Sequence, residues 1–370
     1  MQITLTRLEV KINNTTTDCH IYDYFIVNLS ATTSCGNVNL TANDEARLIG
    51  KPLMSKSSYR IAVNVEWTSK CNARCAMCPR TMISDPKLMA LSTFEQVLSR
   101  LTAEDVFRVI IAGYGEPTTH PKFDDFVEAM RGRHLQFDMA TNGSLLSEDR
   151  LKRMDGIFTK LMISFSSTDP EVYQAVHTNL DQRQVMDNIL LAHRTLKKTK
   201  LIVNLSPTPE CLTTLDNTIQ WFHENGIRDL HMSPTYYDRA GAMNTHGMPS
   251  ERDLRAKIRE HRLTSQEMGF ISGAADFARQ WRSNRFKCIP RNTNMLINAQ
   301  GYYTFCFNDI RHSHSIGHVA SLSLRQALMV RESKEADAAI CDNCNLRGRY
   351  RPRELTRIAF AYAKARMAAA

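Results

Sequence analysis

Three cysteines, Cys71, Cys75 and Cys78, fall within eight residues in the run Glu66-Trp67-Thr68-Ser69-Lys70-Cys71-Asn72-Ala73-Arg74-Cys75-Ala76-Met77-Cys78-Pro79-Arg80. Thiols this closely spaced point to a bound metal rather than to packing. A structural zinc site closes with four ligands, and no fourth cysteine or histidine stands nearby. A [4Fe-4S] cluster normally takes four cysteines, so three leave one iron open to a non-protein ligand. An open iron is a place for a substrate or cofactor to bind. A second set of thiols comes later: Cys288, then Gly301 and Cys306, then the pair in Cys341-Asp342-Asn343-Cys344. Four thiols in two separated pairs, taken alone, read as a structural zinc site. Cys19 and Cys35 lack ligand spacing and read as ordinary thiols. Cys211 stands alone and reads as a core residue, although its place after a strand would also allow a thiol donor.

The elements that must hold these residues follow from periodicity. From about residue 59 to 238 the chain alternates strand-like and helix-like segments. Strand-like runs cover 60–67, 107–112, 137–140, 161–165, 201–205 and 230–232. Between them lie amphipathic runs such as 92–101, where Phe94, Val97, Leu98 and Leu101 recur at i, i+3, i+4 and i+7 after a Ser/Thr start. Six repeats of strand then helix predict an α/β fold, a parallel sheet closed or partly closed into a barrel. The reactive face of such a fold lies beyond the C-terminal ends of its strands. The cysteine run sits there, as do Ala112-Gly113-Tyr114-Gly115-Glu116-Pro117, Thr141-Asn142-Gly143, Ser164 and Ser166. Taken singly, the last two groups are common turn and sheet residues. Residues 250–285 read as more helix, 294–306 as a hairpin and 322–332 as a helix. Residues 1–57 have polar β-type character at 4–12 and 24–29, with no task assigned.

A chain of 370 residues exceeds the ~250–300 at which one core stops growing, so one large domain with a smaller addition is expected. No apolar run approaches the ~20 residues of a membrane span, and the first residues lack the pattern of a signal peptide. A cytoplasmic location, where thiols stay reduced, is the expectation. The formal charge of +9 invites nucleic acid as a partner, but much of it is local. After residue 345 stand Arg347, Arg349, Arg351, Arg353, Arg357, Lys364 and Arg366 against Glu354 alone. A solvated basic terminal helix accounts for that, and a patch for an acidic partner is the alternative.

The run Cys71, Cys75, Cys78 resembles the signature of the radical S-adenosylmethionine superfamily. The resemblance implies a partial (β/α)6 barrel whose open iron binds S-adenosylmethionine and splits it to methionine and a 5′-deoxyadenosyl radical, which takes a hydrogen atom from a C–H bond. Gly113, Gly115 and Glu116 resemble the family's Gly-Gly-Glu motif, implying glycines that let the backbone approach and an acid that meets the cofactor's amino group. Asn142, Ser164 and Ser166 resemble positions lining its methionine and ribose, and Tyr236-Tyr237-Asp238 could flank the adenine. Two places depart: Met77 stands where an aromatic residue is usual, and His177, in what reads as a helix after the fourth strand, where relatives often carry an arginine. His177 is therefore taken as a packed or exposed helix residue.

Cys288, Cys306, Cys341 and Cys344 resemble a twitch domain, the shortened SPASM extension, which implies a second, fully ligated [4Fe-4S] cluster and denies a third. The resulting organisation is an extension at 1–57, the core at 58–249, linking helices at 250–287, the twitch-like domain at 288–346 and a basic helix at 347–370. The function implied is a two-electron oxidation of a small molecule, with a flavodoxin- or ferredoxin-type electron donor. One alternative is modification of a precursor peptide read by the first 57 residues. Another is a zinc-bearing nucleic-acid-binding protein using the basic tail.

Overall fold

The computed structural model describes residues 8–12, 15–19, 59–234, 248–265, 273–283, 288–334, 338–342 and 344. The chain divides into two compact units, Met1–Ser55 and Lys56–Ala370. In the first, β1 (Leu8–Ile12) and β2 (Thr15–Cys19) form an antiparallel hairpin. The run at 24–29 and the basic tail at 347–370 lie outside the described residues, as does Tyr236-Tyr237-Asp238.

The second unit is built on β3 (Ile61–Val65), β5 (Val106–Ile111), β6 (Phe137–Thr141), β7 (Phe158–Phe165), β9 (Lys200–Leu205) and β10 (Leu230–Met232). These six pair in parallel and in chain order, so each strand lies beside the next. Two short segments, β4 (Arg74–Cys75) and β8 (His177–Thr178), pair apart from this sheet. Alternation divides the strands between two faces. Val63, Val109, Ile111, Met139, Leu161, Ile163 and Val203 join one core with Phe94, Phe126, Leu151, Ile189 and Phe222 of the covering helices. Ala62, Ile110, Met162 and Ile202 form a smaller cluster of their own. On that inner face, toward the strands' N-terminal ends, Arg108 and Asp138 pair at 3.2 Å.

The connections after the strands end on residues that start helices. Ser147, Asp169, Asp181 and Thr208 each accept a hydrogen bond from a backbone N–H of the first turn that follows, satisfying donors the helix cannot. The loops at the reactive end are thus short and anchored at both sides.

After the helices Glu251–Glu260 and Ala274–Ser283, a short helix Ile289–Thr293 starts at Cys288. The chain then enters β11 (Asn294–Ile297), which pairs in parallel with β3, and returns through antiparallel β12 (Tyr302–Thr304) and β13 (Ser315–His318). The cysteine-bearing C-terminal section therefore continues the same sheet on the β3 side. Gly301, at φ +83, makes its turn where an added Cβ would stand 2.8 Å from Thr93. Its φ lies in the left-handed region glycine favours. The helix Leu324–Ser333 starts with a Ser323/Gln326 capping box and packs behind the hairpin. No helix among the described residues is long and apolar enough to cross a membrane.

Candidate active site

Leaving β3, the chain is pinned before it reaches the first cysteine. Trp67 is buried edge-on against Phe94 and Phe126, with centroids 5.4 and 5.0 Å away. Its carbonyl accepts from the Met89 N–H at 2.8 Å, and Ser69 and Lys87 exchange two hydrogen bonds. The loop beyond is fastened on its far side as well: Cys75 pairs with His177, and the Ala76 N–H donates to the Val176 carbonyl at 3.0 Å. Cys71 and Cys75 are half-buried against the main core. Burial, with a smaller contribution from Cys78, pushes the Cys71 thiol up to about 11 and the Cys75 thiol up to about 12. Thiolates in this setting need a positive partner, and a bound metal centre takes the place of their protons. Among the described residues no three His, Cys, Asp or Glu side chains meet at the spacing of a single ion. Three soft donors on one anchored loop, with no fourth protein ligand among the described residues, fit an iron-sulfur cube with one open iron.

The glycine-rich turn after β5 is shaped by this loop. A Cβ on Gly115 would lie 2.1 Å from the Thr68 carbonyl oxygen and 2.4 Å from that of Lys70, and the Glu116 N–H donates to the Lys70 carbonyl at 2.8 Å. The backbone that Gly115 lets approach is the cysteine loop's own. Gly113 clears Glu66 in the same way, its missing Cβ falling 2.4 Å from Glu66 Cγ.

Glu116 is 3% exposed, and its carboxylate takes four hydrogen bonds. Oε1 accepts from the Thr118 N–H and hydroxyl and from the Thr141 hydroxyl; Oε2 accepts from the Asn142 N–H at 2.7 Å. Burial raises its pKa and these donors oppose the rise. Asn142 passes the connection on: its side chain donates to Asn72 Oδ1 at 2.9 Å and accepts from the Ser144 N–H and hydroxyl, while Asn72 donates to Ser144 Oγ. Asn72 lies inside the cysteine run, so the ends of β5 and β6 and the loop form one polar lattice.

Gly113, Gly115, Glu116 and Asn142 are thus brought together. Ser164 lies half-buried beside Asn204 on the adjoining strand. Ser166 is buried and hydrogen-bonded to His177 Nδ1 at 2.9 Å. His177 corrects the helical reading. The helix ends at Val176, because the His177 backbone pairs with Cys75 while its ring packs on Tyr173 and Ser166. Burial drives its pKa down to about 4, so it sits there neutral. Cys211 is fully buried with its sulfur accepting from the Thr208 hydroxyl at 3.0 Å, a packed thiol.

Sequence reasoning missed Asn72, Thr118, Ser144 and Glu66. Glu66, 1% exposed, accepts from the Tyr114 N–H at 2.7 Å and the Ala299 N–H at 3.4 Å. It lines a cavity of ≈ 750 Å³ with Asp85, Lys87, Arg311 and His312. Burial lifts its carboxyl from 4.5 to about 7 against the pull of those two donors. A raised acid favours the fold while protonated, so its contribution is complete below about pH 4.5 and is lost as pH rises through about 7, worth about 3 kcal/mol. Replacing Glu66 with Gln is expected to flatten the pH dependence of the melting temperature between about pH 5 and about pH 8, with the variant the more stable at the upper end. Parallel melting curves for the two proteins across that range would show that Glu66 is ionised throughout.

The second set of thiols is gathered on three segments. Cys288 precedes a helix, Cys306 follows β12, and Cys341 closes a one-turn helix with its carbonyl accepting from the Cys344 N–H. Cys341 and Cys306 pack with Phe305 and Ile340. Asn308 donates from Nδ2 to Cys344 Sγ at 3.0 Å and from its N–H to Cys306 Sγ at 3.4 Å. Burial pushes Cys288 up to about 12 and Cys306 up to about 11, and the other thiols of the set add to both. Four thiols near enough to act on one another, with Asn308 donating to two of the sulfurs, have the donor set of a four-thiolate iron-sulfur cluster.

Comparison with known proteins agrees with this geometry. Residues 65–217 match the model of the Radical SAM superfamily. A tungsten-containing aldehyde ferredoxin oxidoreductase cofactor-modifying protein of Pyrococcus furiosus is 35% identical over 92 residues, 24% of this chain and 26% of that one. An S-adenosylmethionine-dependent nucleotide dehydratase of a Thermoplasmatales archaeon is 31% identical over 108 residues, 29% of this chain and 38% of that one. The chain thus spans less than half the length of these curated relatives. Among solved structures, Streptococcus suis SuiB bound to its precursor peptide SuiA superposes with a TM-score of 0.60 over 78% of this chain and 70% of that one, at 14% identity, a likeness of fold.

Proposed function

We propose, on the match of residues 65–217 to the Radical SAM superfamily model, that the chain is a radical S-adenosylmethionine enzyme and oxidises a small molecule by two electrons with the help of a second cluster. Cys71, Cys75 and Cys78 would hold the catalytic [4Fe-4S] cluster, and Cys288, Cys306, Cys341 and Cys344 the auxiliary one. A bound catalytic cluster supplies the electron that splits S-adenosylmethionine, and the resulting 5′-deoxyadenosyl radical takes a hydrogen atom from the substrate. The chain's own part is positional. Glu116 and Thr141 fix Asn142, and Asn142 fixes Asn72 inside the cysteine run, so the residues proposed to meet the cofactor move only with the metal loop. Trp67 and the Ser69–Lys87 pair hold that loop's entry, and the small inner-face cluster at Ala62, Ile110, Met162 and Ile202 closes the sheet's inner face to water below it.

The observation that carries the oxidative reading is the gathering of four further thiols, which leaves no protein position vacant on a second cube. Such a centre would bind no substrate through iron and would suit electron transfer, taking the one electron that remains once a substrate has lost a hydrogen atom and a proton. Anaerobically reconstituted protein should bind about eight irons per chain and form 5′-deoxyadenosine with dithionite. Changing Cys75 to Ala should abolish that product, and changing Cys341 and Cys344 together to Ala should remove about half of the iron while sparing uncoupled cofactor cleavage. Cleavage surviving in the first variant would end the proposal. Full iron in the second would remove its auxiliary cluster.

A further inference from the structure

Two arginines lie in the interior beside the second set of thiols. Arg331, on the helix Leu324–Ser333, is 2% exposed, and Arg291, on the helix that starts at Cys288, is 3% exposed. Arg331 donates through Nη1 to the Asn294 carbonyl, whereas its Nη2 is buried with no hydrogen-bond partner among the described residues. Arg291 lays its guanidinium 4.6 Å from the Phe305 ring centroid and donates to the carbonyls of Arg331 and Lys334. The two cations repel each other, and among the described residues the half-buried Glu332 acts on both while accepting from the Tyr59 hydroxyl.

A buried like-charged pair is unfavourable unless an anion lies close. Sulfurs are among the anions within reach: Arg291 is drawn to Cys288, Cys306 and Cys341, and Arg331 to Cys306. An oxidised four-iron cube with four thiolates is a dianion, and it gains one more negative charge when it takes an electron. Fixed positive charge nearby, in surroundings where Coulomb forces are weakly screened, favours the more negative state.

We propose that Arg331 and Arg291 set the reduction potential of the centre held by Cys288, Cys306, Cys341 and Cys344, raising it so that this site accepts the substrate's electron. The inference rests on the two-cluster reading above, and its test separates the two. The full-length protein is prepared with Cys71, Cys75 and Cys78 all changed to Ala, so that only the second centre titrates, and the midpoint is measured by electron paramagnetic resonance during a redox titration. Changing Arg331 to Met should shift the reduction equilibrium at least tenfold toward the oxidised form, a fall of about 59 mV or more for a one-electron couple. Arg331→Lys, which keeps the charge and loses the fork of donors, should move it less than half as far. An unchanged midpoint in the iron-loaded Met variant, or equal shifts with Lys and Met, would overturn the proposal. Should Arg331→Met fail to hold iron, retention by Arg331→Lys supports the charge role. If both lose it, the Arg291→Met and Arg291→Lys pair is read by the same rule, and loss in all four variants overturns it. Absence of iron from the parent protein ends the two-cluster reading itself and this inference with it.

Discussion

Changing Gly115 to Ala is expected to strip the first cluster from an otherwise folded protein. The new Cβ would stand 2.1 Å from the Thr68 carbonyl oxygen and 2.4 Å from that of Lys70. Both are backbone atoms, which cannot swing aside as the end of a side chain can. Nor can their segment slide away freely, because Trp67 and Ser69 are hydrogen-bonded to Met89 and Lys87 on one side and the Lys70 carbonyl to the Glu116 N–H on the other. The collision must therefore push Lys70, and with it Cys71, out of place. Overpacking of this kind against fixed backbone costs on the order of 4 kcal/mol, concentrated on the metal loop. In a protein whose second site is removed by Cys341→Ala and Cys344→Ala, the Gly115→Ala variant should retain less than about a tenth of the parent's iron, about 1.4 kcal/mol or more of lost binding. Gly132→Ala is the control. Its φ of +74 is strained for alanine, but no atom lies within 4 Å of the added Cβ, so about 1 kcal/mol of stability and none of the iron should go. Full iron and undiminished cofactor cleavage in Gly115→Ala would mean that the loop is not held as the structure has it.

The contrast between these two glycines also marks how far the sequence could be read. That Gly113 and Gly115 follow a strand is a local pattern. What they approach, Glu66 in one case and the Thr68 and Lys70 carbonyls in the other, lies more than forty residues earlier and leaves no mark at the glycines. Strands were legible where apolar residues run together, as at Val109–Ile111 in β5, and blurred where polar residues interrupt the run. β7 starts at Phe158, and its first residues are missed in the sequence because Thr159 and Lys160 break the apolar run. His177 failed for a different reason: its helix has no local stop signal and is ended by tertiary pairing with Cys75. The hairpin at 294–304 was legible from its alternation and Gly301. The parallel seat of β11 against β3 was not, since a buried apolar strand does not name its partner. The same holds for Arg331, which reads as an ordinary helix residue, and for Arg291, which belongs to no motif, until burial sets them beside the thiols.

Changing Glu116 to Ala should have the second large effect, because it strands four donors at once. The Thr118 N–H and hydroxyl, the Thr141 hydroxyl and the Asn142 N–H all lose their acceptor in a buried place. Each buried donor left unmade costs about 1–3 kcal/mol, not additively, so a loss of about 4 kcal/mol is expected. The Thr141→Val variant, which removes one donor and keeps the acid, should cost only about 1 kcal/mol, and the double variant should cost less than the two changes summed. The effect on chemistry should exceed the effect on iron, since the cysteines keep their loop while Asn142 and its link to Asn72 are set loose. A displacement worth about 3 kcal/mol in the transition state lowers 5′-deoxyadenosine formation by about a hundredfold. Glu116→Gln separates the two tasks the acid could have. The amide oxygen can still accept from the threonines, so the melting temperature should return most of the way to that of the parent. The carboxylate charge that would meet the cofactor's amino group is gone, so cleavage should stay low and the apparent KM for S-adenosylmethionine should rise. If cleavage recovers along with stability, Glu116 acts only by holding the end of β6 to the turn, and the cofactor's amino group must find its anion elsewhere.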